Sequence, residues 1–154
     1  MNRTFPSKTN DTARHPLSAA LFRLTKRFHP SWYIDLHEAN GLSNINSKVL
    51  GQTLILNPGS KAIPAARRIV EQINRSIDQS ERYFNLRVSA LPGSGRTAAF
   101  RLLKSKAITV ETCWSLPLAD RVKFQVKILH KLLHESGLMT KKLCPSIKTP
   151  CGSH

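Results

Sequence analysis

The sequence is short of acidic residues, aromatic residues and cysteines, and it has no long apolar run. No uninterrupted hydrophobic stretch would span a bilayer, and the opening segment MNRTFPSKTNDT lacks the apolar core of a signal peptide. The three cysteines are odd in number and include no Cys-x-x-Cys pair, which indicates reduced thiols. These absences predict a cytoplasmic protein that has no membrane partner.

The scarcity of acidic residues leaves a strongly basic chain. Against 9 Asp and Glu stand 24 Lys and Arg, giving a formal net charge of +15. This charge favours a nucleic-acid-associated domain, but no helix-turn-helix, zinc-finger or aromatic RNA-binding motif is present. With 6% aromatic residues, the chain offers little surface for base stacking. We expect salt-dependent contact with polyanions and no specific nucleic-acid partner.

Apolar segments alternate between helical and strand periodicity over most of the chain. The 154 residues, 40% of them hydrophobic, suffice for one core. Strands are predicted at about 31–36, 53–56, 84–91 and 106–111, and helices at about 16–28, 64–77, 97–104 and 118–136. This order predicts an α/β fold, a three-layer α/β/α sandwich with a mixed, largely parallel sheet. The expected domain is 1–138, followed by a basic, flexible tail at 139–154.

Helical spacing also predicts which side of each long helix is apolar. The helix after Pro64 should bury Ala66, Ile69, Val70, Ile73 and Ile77. On the final helix, the side chains expected to face the core are Val122, Val126, Leu129 and Leu133. The first helix has one apolar face, made of Leu17, Ala20, Leu21 and Leu24.

The segment Trp32-Tyr33-Ile34-Asp35-Leu36-His37 is the most informative of the strands. Asp35 and His37 are two residues apart, so on an extended chain they leave the same face. In open α/β sheets, ligands bind where strands end. A neutral imidazole there can bind a metal while a carboxylate fixes its tautomer. The alternative is an ordinary strand end with polar residues in solvent.

Two more segments accompany this strand in a definite order. The chain opens Asn2-Arg3-x-Phe5-Pro6, and a later strand reads Ile108-Thr109-Val110-Glu111-Thr112. Together the three segments resemble the zinc carboxypeptidase superfamily, including deacylases similar to succinylglutamate desuccinylase and aspartoacylase. The resemblance extends over residues 1–138 and implies a partial zinc-carboxypeptidase-like fold.

The resemblance implies a role for each of four residues. Asn2 and Arg3 match the pair that holds a substrate carboxylate, for which a guanidinium is suited. His37 matches the last of three protein zinc ligands. Glu111 matches the general base that activates the metal-bound water and passes the proton to the leaving nitrogen. Without the resemblance, Arg3 reads as a terminal residue and Glu111 as a partner for a surface cation.

The chain departs from the superfamily at the first two zinc ligands. In the superfamily these two ligands form a His-x-x-Glu motif before the Asn-Arg pair. The histidines of this chain stand at 15, 29, 37, 130, 134 and 154, and none of them has Glu three residues later. A catalytic zinc site usually has three protein ligands. We therefore expect the C-terminal part of such an enzyme, inactive as it stands, with zinc as the implied cofactor and an incomplete site.

Two further patterns have both a functional and an ordinary interpretation. The turn Pro92-Gly93-Ser94-Gly95-Arg96 is either a connection or lies near the substrate pocket, and it lacks the ending of a phosphate-binding loop. His130 and His134 are spaced to share a metal on a helix, but their position at its polar boundary favours surface histidines.

Three functions remain open from the sequence. The first is a zinc-dependent hydrolase of amide bonds, of metallocarboxypeptidase or N-acyl amino acid deacylase type, acting on a small carboxylate-bearing substrate. The second is a basic nucleic-acid-associated domain, and the third a non-catalytic remnant of the hydrolase. For the first, Arg3, His37 and Glu111 must converge on one pocket, with the His37 ring and Glu111 carboxylate about 5–8 Å apart.

Overall fold

The computed structural model describes residues 3–139. They form four helices, α1 to α4, four strands, β1 to β4, and one short 3-10 helix. The helices are α1 (Pro16–Phe28), α2 (Ile63–Asn74), α3 (Gly95–Leu103) and α4 (Leu118–Glu135). The strands are β1 (Trp32–Ala39), β2 (Thr53–Leu56), β3 (Asn85–Val88) and β4 (Lys106–Cys113), and the 3-10 helix is Ser80–Arg82.

The strands form one mixed sheet in the order β1-β4-β2-β3. β1 pairs with β4 and β2 with β3 in parallel, whereas β2 and β4 run antiparallel. The predicted α/β fold with a mixed, largely parallel sheet is confirmed. Because β1 and β4 are parallel, their carboxyl ends, which carry His37 and Glu111, meet at the same edge of the sheet.

Helices cover both faces of this sheet. α2 and α4 pack together on one face, and α3 lies against β1 and β4 on the other, with α1 packed on α3. The apolar core lies between the sheet and the α2–α4 layer, and its buried members are Leu54, Leu56, Ala62, Ala66, Ile69, Ile73, Ile77, Phe84, Ile108, Val110, Ile128 and Leu132. The predicted core face of the helix after Pro64 is therefore confirmed, with Val70 only partly buried.

The predicted inward face of the last helix is wrong in part. Val122 and Val126 are 51% and 59% exposed, whereas Ile128 and Leu132 are fully buried. In α1 the apolar residues Leu17, Leu21 and Leu24 are likewise exposed. Periodicity identifies an apolar side of a helix but does not say what covers it, and in both helices much of that side has no cover among residues 3–139.

Two regions named in the sequence interpretation lie outside the described residues. They are Asn2 and the part of the basic tail that follows Met139. Among the helices of residues 3–139, none has the length and apolar character needed to cross a membrane.

Candidate active site

β1 places Asp35 and His37 side by side, as their spacing predicted. His37 Nε2 donates a hydrogen bond to Asp35 Oδ1 at 2.9 Å. The two side chains are roughly a quarter exposed, 21% for Asp35 and 28% for His37, so the pair borders solvent at the strand end. Since Nε2 is engaged by Asp35, Nδ1 is the ring nitrogen that can take a proton or a metal ion.

β4 brings Glu111 next to that nitrogen. Glu111 is the register partner of His37 on one side and of Thr53 in β2 on the other. Its Oε1 lies 4.0 Å from His37 Nδ1. The two groups thus lie on one face of the sheet, as expected, and at a shorter separation than the 5–8 Å anticipated.

Burial gives the Glu111 carboxylate an unusual environment. The residue is 7% exposed, and its Oε2 is buried without a hydrogen-bond partner. Burial raises the pKa of Glu111, an effect that the nearby His37 and Arg96 partly oppose. The hydrogen bond to Asp35 raises the pKa of His37, against a smaller opposing effect of burial. His37 and Glu111 are thus neighbouring titratable groups whose pKa values are both shifted by their surroundings, a pattern that is common at functional sites.

Arg96 is a buried arginine on α3, the helix that packs against β1 and β4. It is 2% exposed at the first turn of α3. Its Nη1 donates to Asn57 Oδ1 at 2.6 Å and its Nη2 to the Ser89 carbonyl at 3.1 Å. Burial lowers the pKa of Arg96, whereas the charges of Asp35 and Glu111 raise it. The Arg96 cation opposes part of the effect that burial has on the pKa of Glu111.

The turn before α3 holds the start of that helix in place. Ser94 accepts a hydrogen bond from the Thr97 backbone N–H and caps α3, which fixes the helix start beside Arg96. Gly95 leaves no room for a side chain, because a Cβ there would clash with the Tyr33 hydroxyl. The sequence left two interpretations of this turn open, a connection or a position near the substrate pocket, and the structure places its Gly95 against Tyr33 of β1.

Tyr33 occupies the same face of β1 as Asp35 and His37. Burial, followed by the charge of Asp35, raises the pKa of Tyr33 to about 12. Its hydroxyl is therefore a neutral hydrogen-bond donor at physiological pH. The sequence interpretation gave Tyr33 no role, because the residue reads as an ordinary strand aromatic.

α4 supports the strand ends from the other face of the sheet. Gln125 Nε2 donates to the His37 carbonyl at 3.1 Å and to Thr112 Oγ1 at 3.0 Å. Arg121 pairs with Glu38, with Nη1 at 2.6 Å from a carboxylate oxygen. These contacts hold the ends of β1 and β4 together immediately behind His37 and Glu111.

Arg3 reaches this region through its backbone. Gly93 has φ +81° and lies so close that a Cβ would be 2.7 Å from the Arg3 carbonyl oxygen. Phe5 N–H donates to the Gly93 carbonyl at 2.9 Å. The N-terminal segment therefore lies against the turn before Arg96. Within residues 3–139, the Arg3 guanidinium makes no ion pair, so its role stays a prediction.

The described residues do not fit a complete zinc site. His37 can offer Nδ1, but residues 3–139 contain no group of three or more His, Cys, Asp or Glu side chains that could hold a metal ion. His130 and His134 are exposed on α4, and their neighbour Glu135 is paired with Arg68 at 2.6 Å. The surface interpretation of these histidines agrees with that placement.

Comparison with known proteins gives structural neighbours only. No family model and no curated protein sequence matches the chain. Crystal structures of the cell shape determinant protein Csd4 from Helicobacter pylori do match: the product-bound form has a TM-score of 0.72 at 18% identity. The mDAP-bound form, described as a D,L-carboxypeptidase, has 0.66 at 17%, and the tripeptide-bound form 0.65 at 17%.

In each of these matches, 90% of this chain aligns with 38% of the Csd4 chain. The chain therefore spans well under half the length of these neighbours. At such identities the likeness concerns the fold alone. Residues 3–139 have the α/β fold that forms part of the Csd4 structure.

Proposed function

We propose that this chain is part of a hydrolase that cleaves amide bonds in small carboxylate-bearing substrates, with Glu111 as its general base. The observation that carries the proposal is the Glu111 carboxylate: it is buried, its Oε2 has no partner, and Oε1 lies 4.0 Å from His37 Nδ1. A buried carboxylate with a free oxygen beside an imidazole is poised to accept a proton from water.

The proton chemistry follows from the surroundings of Glu111. Burial brings its pKa upward, closer to neutrality, which makes the carboxylate a stronger base. The same carboxyl group, once protonated, can return the proton to the nitrogen that leaves when the amide bond breaks. Asp35 holds the His37 ring in one orientation throughout, and Arg96 supplies fixed positive charge without entering solvent.

The N-terminal segment would bind the substrate. Arg3 offers the planar guanidinium that a carboxylate requires, and its backbone lies against the turn that carries Arg96. Asn2 is proposed as its neighbour in binding. Crystal structures of Csd4 include an mDAP-bound and a tripeptide-bound form, which supports a peptide with a free carboxylate as the substrate class.

The resemblance to zinc carboxypeptidases and the fold of Csd4 support membership of that superfamily and zinc as the metal. When bound, zinc would polarise the scissile carbonyl and acidify water. The described residues supply one ligand, His37, and do not by themselves make the site. The proton steps above are therefore derived from Glu111, His37 and Asp35 alone.

Peptide binding is the first test of the proposal. A tripeptide with a free C-terminal carboxylate, the same tripeptide as an amide, and an N-acylated amino acid should be titrated against the ¹⁵N-labelled chain. We expect the free carboxylates to shift the amides of Asp35, His37 and Glu111 and the amide form to bind at least about tenfold more weakly. Preference for the tripeptide or the acylated amino acid separates carboxypeptidase from deacylase.

Release of the C-terminal amino acid is the second test, measured by mass spectrometry with added Zn²⁺. Any release should fall at least about 100-fold in Glu111→Gln, whereas peptide affinity stays within about threefold. Glu135→Gln, on the exposed surface of α4, is the matched control. Equal release by the wild type and Glu111→Gln, or no binding of free carboxylates at millimolar concentration, contradicts the proposal.

A further inference from the structure

A row of four paired residues crosses the sheet at the candidate site. His37 of β1 pairs with Glu111 of β4. Glu111 pairs in turn with Thr53 of β2, and Thr53 with Asn85 of β3. Directly paired residues project from the same face of a sheet, so all four side chains lie on the face that carries the candidate site. Neighbouring strands are about 4.8 Å apart, which places the Asn85 backbone about 10 Å from that of Glu111.

The far half of this row borders a small surface cavity, which we call the β2–β3 cavity. Its volume is about 190 Å³, and its polar lining consists of Ser43, Ser47, Thr53, Asn85 and Arg87. Within residues 3–139, no acidic residue lines it. Its walls all come from the segment 43–87, from the loop before β2, from β2 and from β3. Because Thr53 belongs both to the row and to the lining, the cavity adjoins Glu111.

Hydrogen bonds fix the polar side chains of the β2–β3 cavity. Ser43 Oγ accepts hydrogen bonds from Thr53 Oγ1 at 3.3 Å and from Asn85 Nδ2 at 2.9 Å. Asn85 Nδ2 also donates to Asn44 Oδ1 at 2.8 Å, so both N–H bonds of this amide are used. Among residues 3–139, the Ser43 hydroxyl proton has no acceptor. This proton is therefore available to a ligand.

Arg87 supplies the positive charge of the β2–β3 cavity. Its side chain is exposed, and within residues 3–139 it forms no ion pair. A guanidinium presents a planar fork of donors that matches a carboxylate. A cation and a hydroxyl donor in one cavity without an acidic residue favour an anion that has two oxygens. Beside a site proposed to bind peptides, that anion is a carboxylate.

The β2–β3 cavity lies on the acyl side of the proposed scissile bond. Arg3, proposed to hold the C-terminal carboxylate, has its backbone against Gly93, and Gly95 of the same turn lies against Tyr33 of β1. In the proposed function, the C-terminal end of the peptide is therefore on the β1 side of Glu111. β2 and β3 are on the other side of β4, so the residues that precede the scissile bond extend toward the cavity.

We propose that the β2–β3 cavity binds an acidic side chain of the peptide substrate, one or two residues before the scissile bond. Arg87 and the Ser43 hydroxyl would hold its carboxylate, while Thr53 and Asn85 keep Ser43 in place. An extended peptide advances about 3.3–3.6 Å per residue, so a side chain at either position spans the distance from Glu111 to the cavity. This inference rests on the proposed function, because it names the substrate class of that same site.

Two peptides that differ by one charge test the cavity. They are acetyl-Ala-Glu-Ala and acetyl-Ala-Gln-Ala, each with a free C-terminal carboxylate, titrated against the ¹⁵N-labelled chain. We expect the Glu peptide to bind at least about fivefold more tightly than the Gln peptide. The Glu peptide should also shift the backbone amides of Ser43, Asn85 and Arg87 further than the Gln peptide does.

Substitution of Arg87 locates the preference. In Arg87→Gln the affinities of the two peptides should agree within about twofold, because the cation of the cavity is gone. Arg67→Gln is the matched control: Arg67 is an exposed arginine on α2, which lies on the other face of the sheet. It makes the same change in net charge and should keep the preference for the Glu peptide. Melting curves that agree with the wild type show that both variants are folded.

The outcomes separate this inference from the proposed function. Equal affinities of the two peptides, with shifts at His37 and Glu111, would overturn the inference and leave the proposed function standing. A preference for the Glu peptide that survives Arg87→Gln would do the same. Shifts at Ser43 and Arg87 with none at His37 or Glu111 would overturn both and assign the cavity to a separate anion. No binding of either peptide would also overturn both.

Discussion

Glu111 is a residue that the fold accommodates at a cost in stability. Its buried Oε2 has no hydrogen-bond partner, and burial raises its pKa. A raised carboxyl pKa means that the folded state holds the proton more tightly than the unfolded state. Its contribution is therefore favourable at low pH and is lost as pH rises from the unfolded pKa through the folded one.

Glu111→Gln should therefore stabilise the protein at pH 7. The uncharged amide removes the cost of burying a carboxylate, and we expect a gain of about 1 kcal/mol in the free energy of unfolding. Urea denaturation at pH 7 and at pH 4 measures it, and the gain should shrink at pH 4. A loss of stability at pH 7 would mean that the ionised Glu111 is held by favourable contacts.

The raised pKa of Tyr33 predicts that the stability of the folded protein changes at high pH. Its pKa is raised to about 12, so the unfolded chain loses the phenolic proton at lower pH than the folded protein. The stabilisation is complete below about pH 10 and is lost as pH rises to about 12. After allowance for partial exposure, the contribution is at most about 2 kcal/mol.

Absorbance at 295 nm resolves this titration. Tyr33→Phe should remove the transition near pH 12 and flatten the high-pH loss of stability relative to the wild type. The sequence contains one other tyrosine, Tyr83, so the difference between the two spectra belongs to Tyr33. A Tyr33 transition at pH 10 would show that the hydroxyl is solvated.

His37 sets the expected response to zinc. One imidazole does not make a three-ligand site, so this chain should bind Zn²⁺ only weakly, with a dissociation constant no tighter than about 10 μM. Calorimetric titration of the wild type and His37→Ala should give curves that differ little. Tight, stoichiometric binding that survives His37→Ala would instead point to His130 and His134.

At the scale of the elements, periodicity predicted where helices and strands lie but not what faces them. β2 was predicted at its observed bounds, and β1 extends three residues beyond the predicted end to Ala39. The buried face of α2 also followed from its spacing. The exposed stripe of α4 did not, because Val122 and Ile128 are equally apolar and only tertiary packing distinguishes them.

The candidate site was predictable in the same partial way. Asp35 and His37 meet because a strand repeats every two residues, and a resemblance pointed to Glu111. Arg96 could not be assigned, because its burial depends on Asn57 and Ser89, which are 39 and 7 residues away in the chain. Local sequence does not show that Arg96 meets Asn57, 39 residues away.

α4 should control the alignment of the two strands that carry the site. Gln125→Leu removes hydrogen bonds to the His37 carbonyl and to Thr112 Oγ1. Because Thr112 is fully buried, we expect a loss of about 1–2 kcal/mol in the free energy of unfolding and faster amide exchange at Thr112. Urea denaturation and exchange measured by NMR report the two effects.

Gln72→Leu is the matched control for Gln125. Gln72 accepts a hydrogen bond from Lys131 on the exposed surface, and its loss should cost less than about 0.5 kcal/mol. Equal losses in the two variants would show that Gln125 does not have a special role at the strand ends.

At the scale of the whole molecule, opposite ends of the β1–β4 pair have opposite character. The carboxyl ends carry Glu111, Asp35 and His37. At the other end lies a cavity of about 980 Å³ with no acidic residue in its lining. Its basic members are Lys8, Lys61, Arg101, Lys104 and Lys106. Part of the basic character of the chain, whose net charge is +15, is therefore concentrated in a concave surface. This surface lies at the opposite end of the β1–β4 pair from the candidate site.

This basic cavity should bind polyanions without reading sequence. Duplex DNAs of unrelated sequence should bind with equal affinity, and log K should fall linearly with log salt concentration, by about 0.9 per phosphate contacted. Lys104→Glu and Lys106→Glu should each reduce that slope by about 1, whereas Lys48→Glu, outside the cavity lining, should leave it unchanged. Fluorescence anisotropy between 50 and 300 mM salt, about a sixfold range, measures the slope. Affinity that differs at least about tenfold between sequences would restore specific nucleic-acid binding as a function.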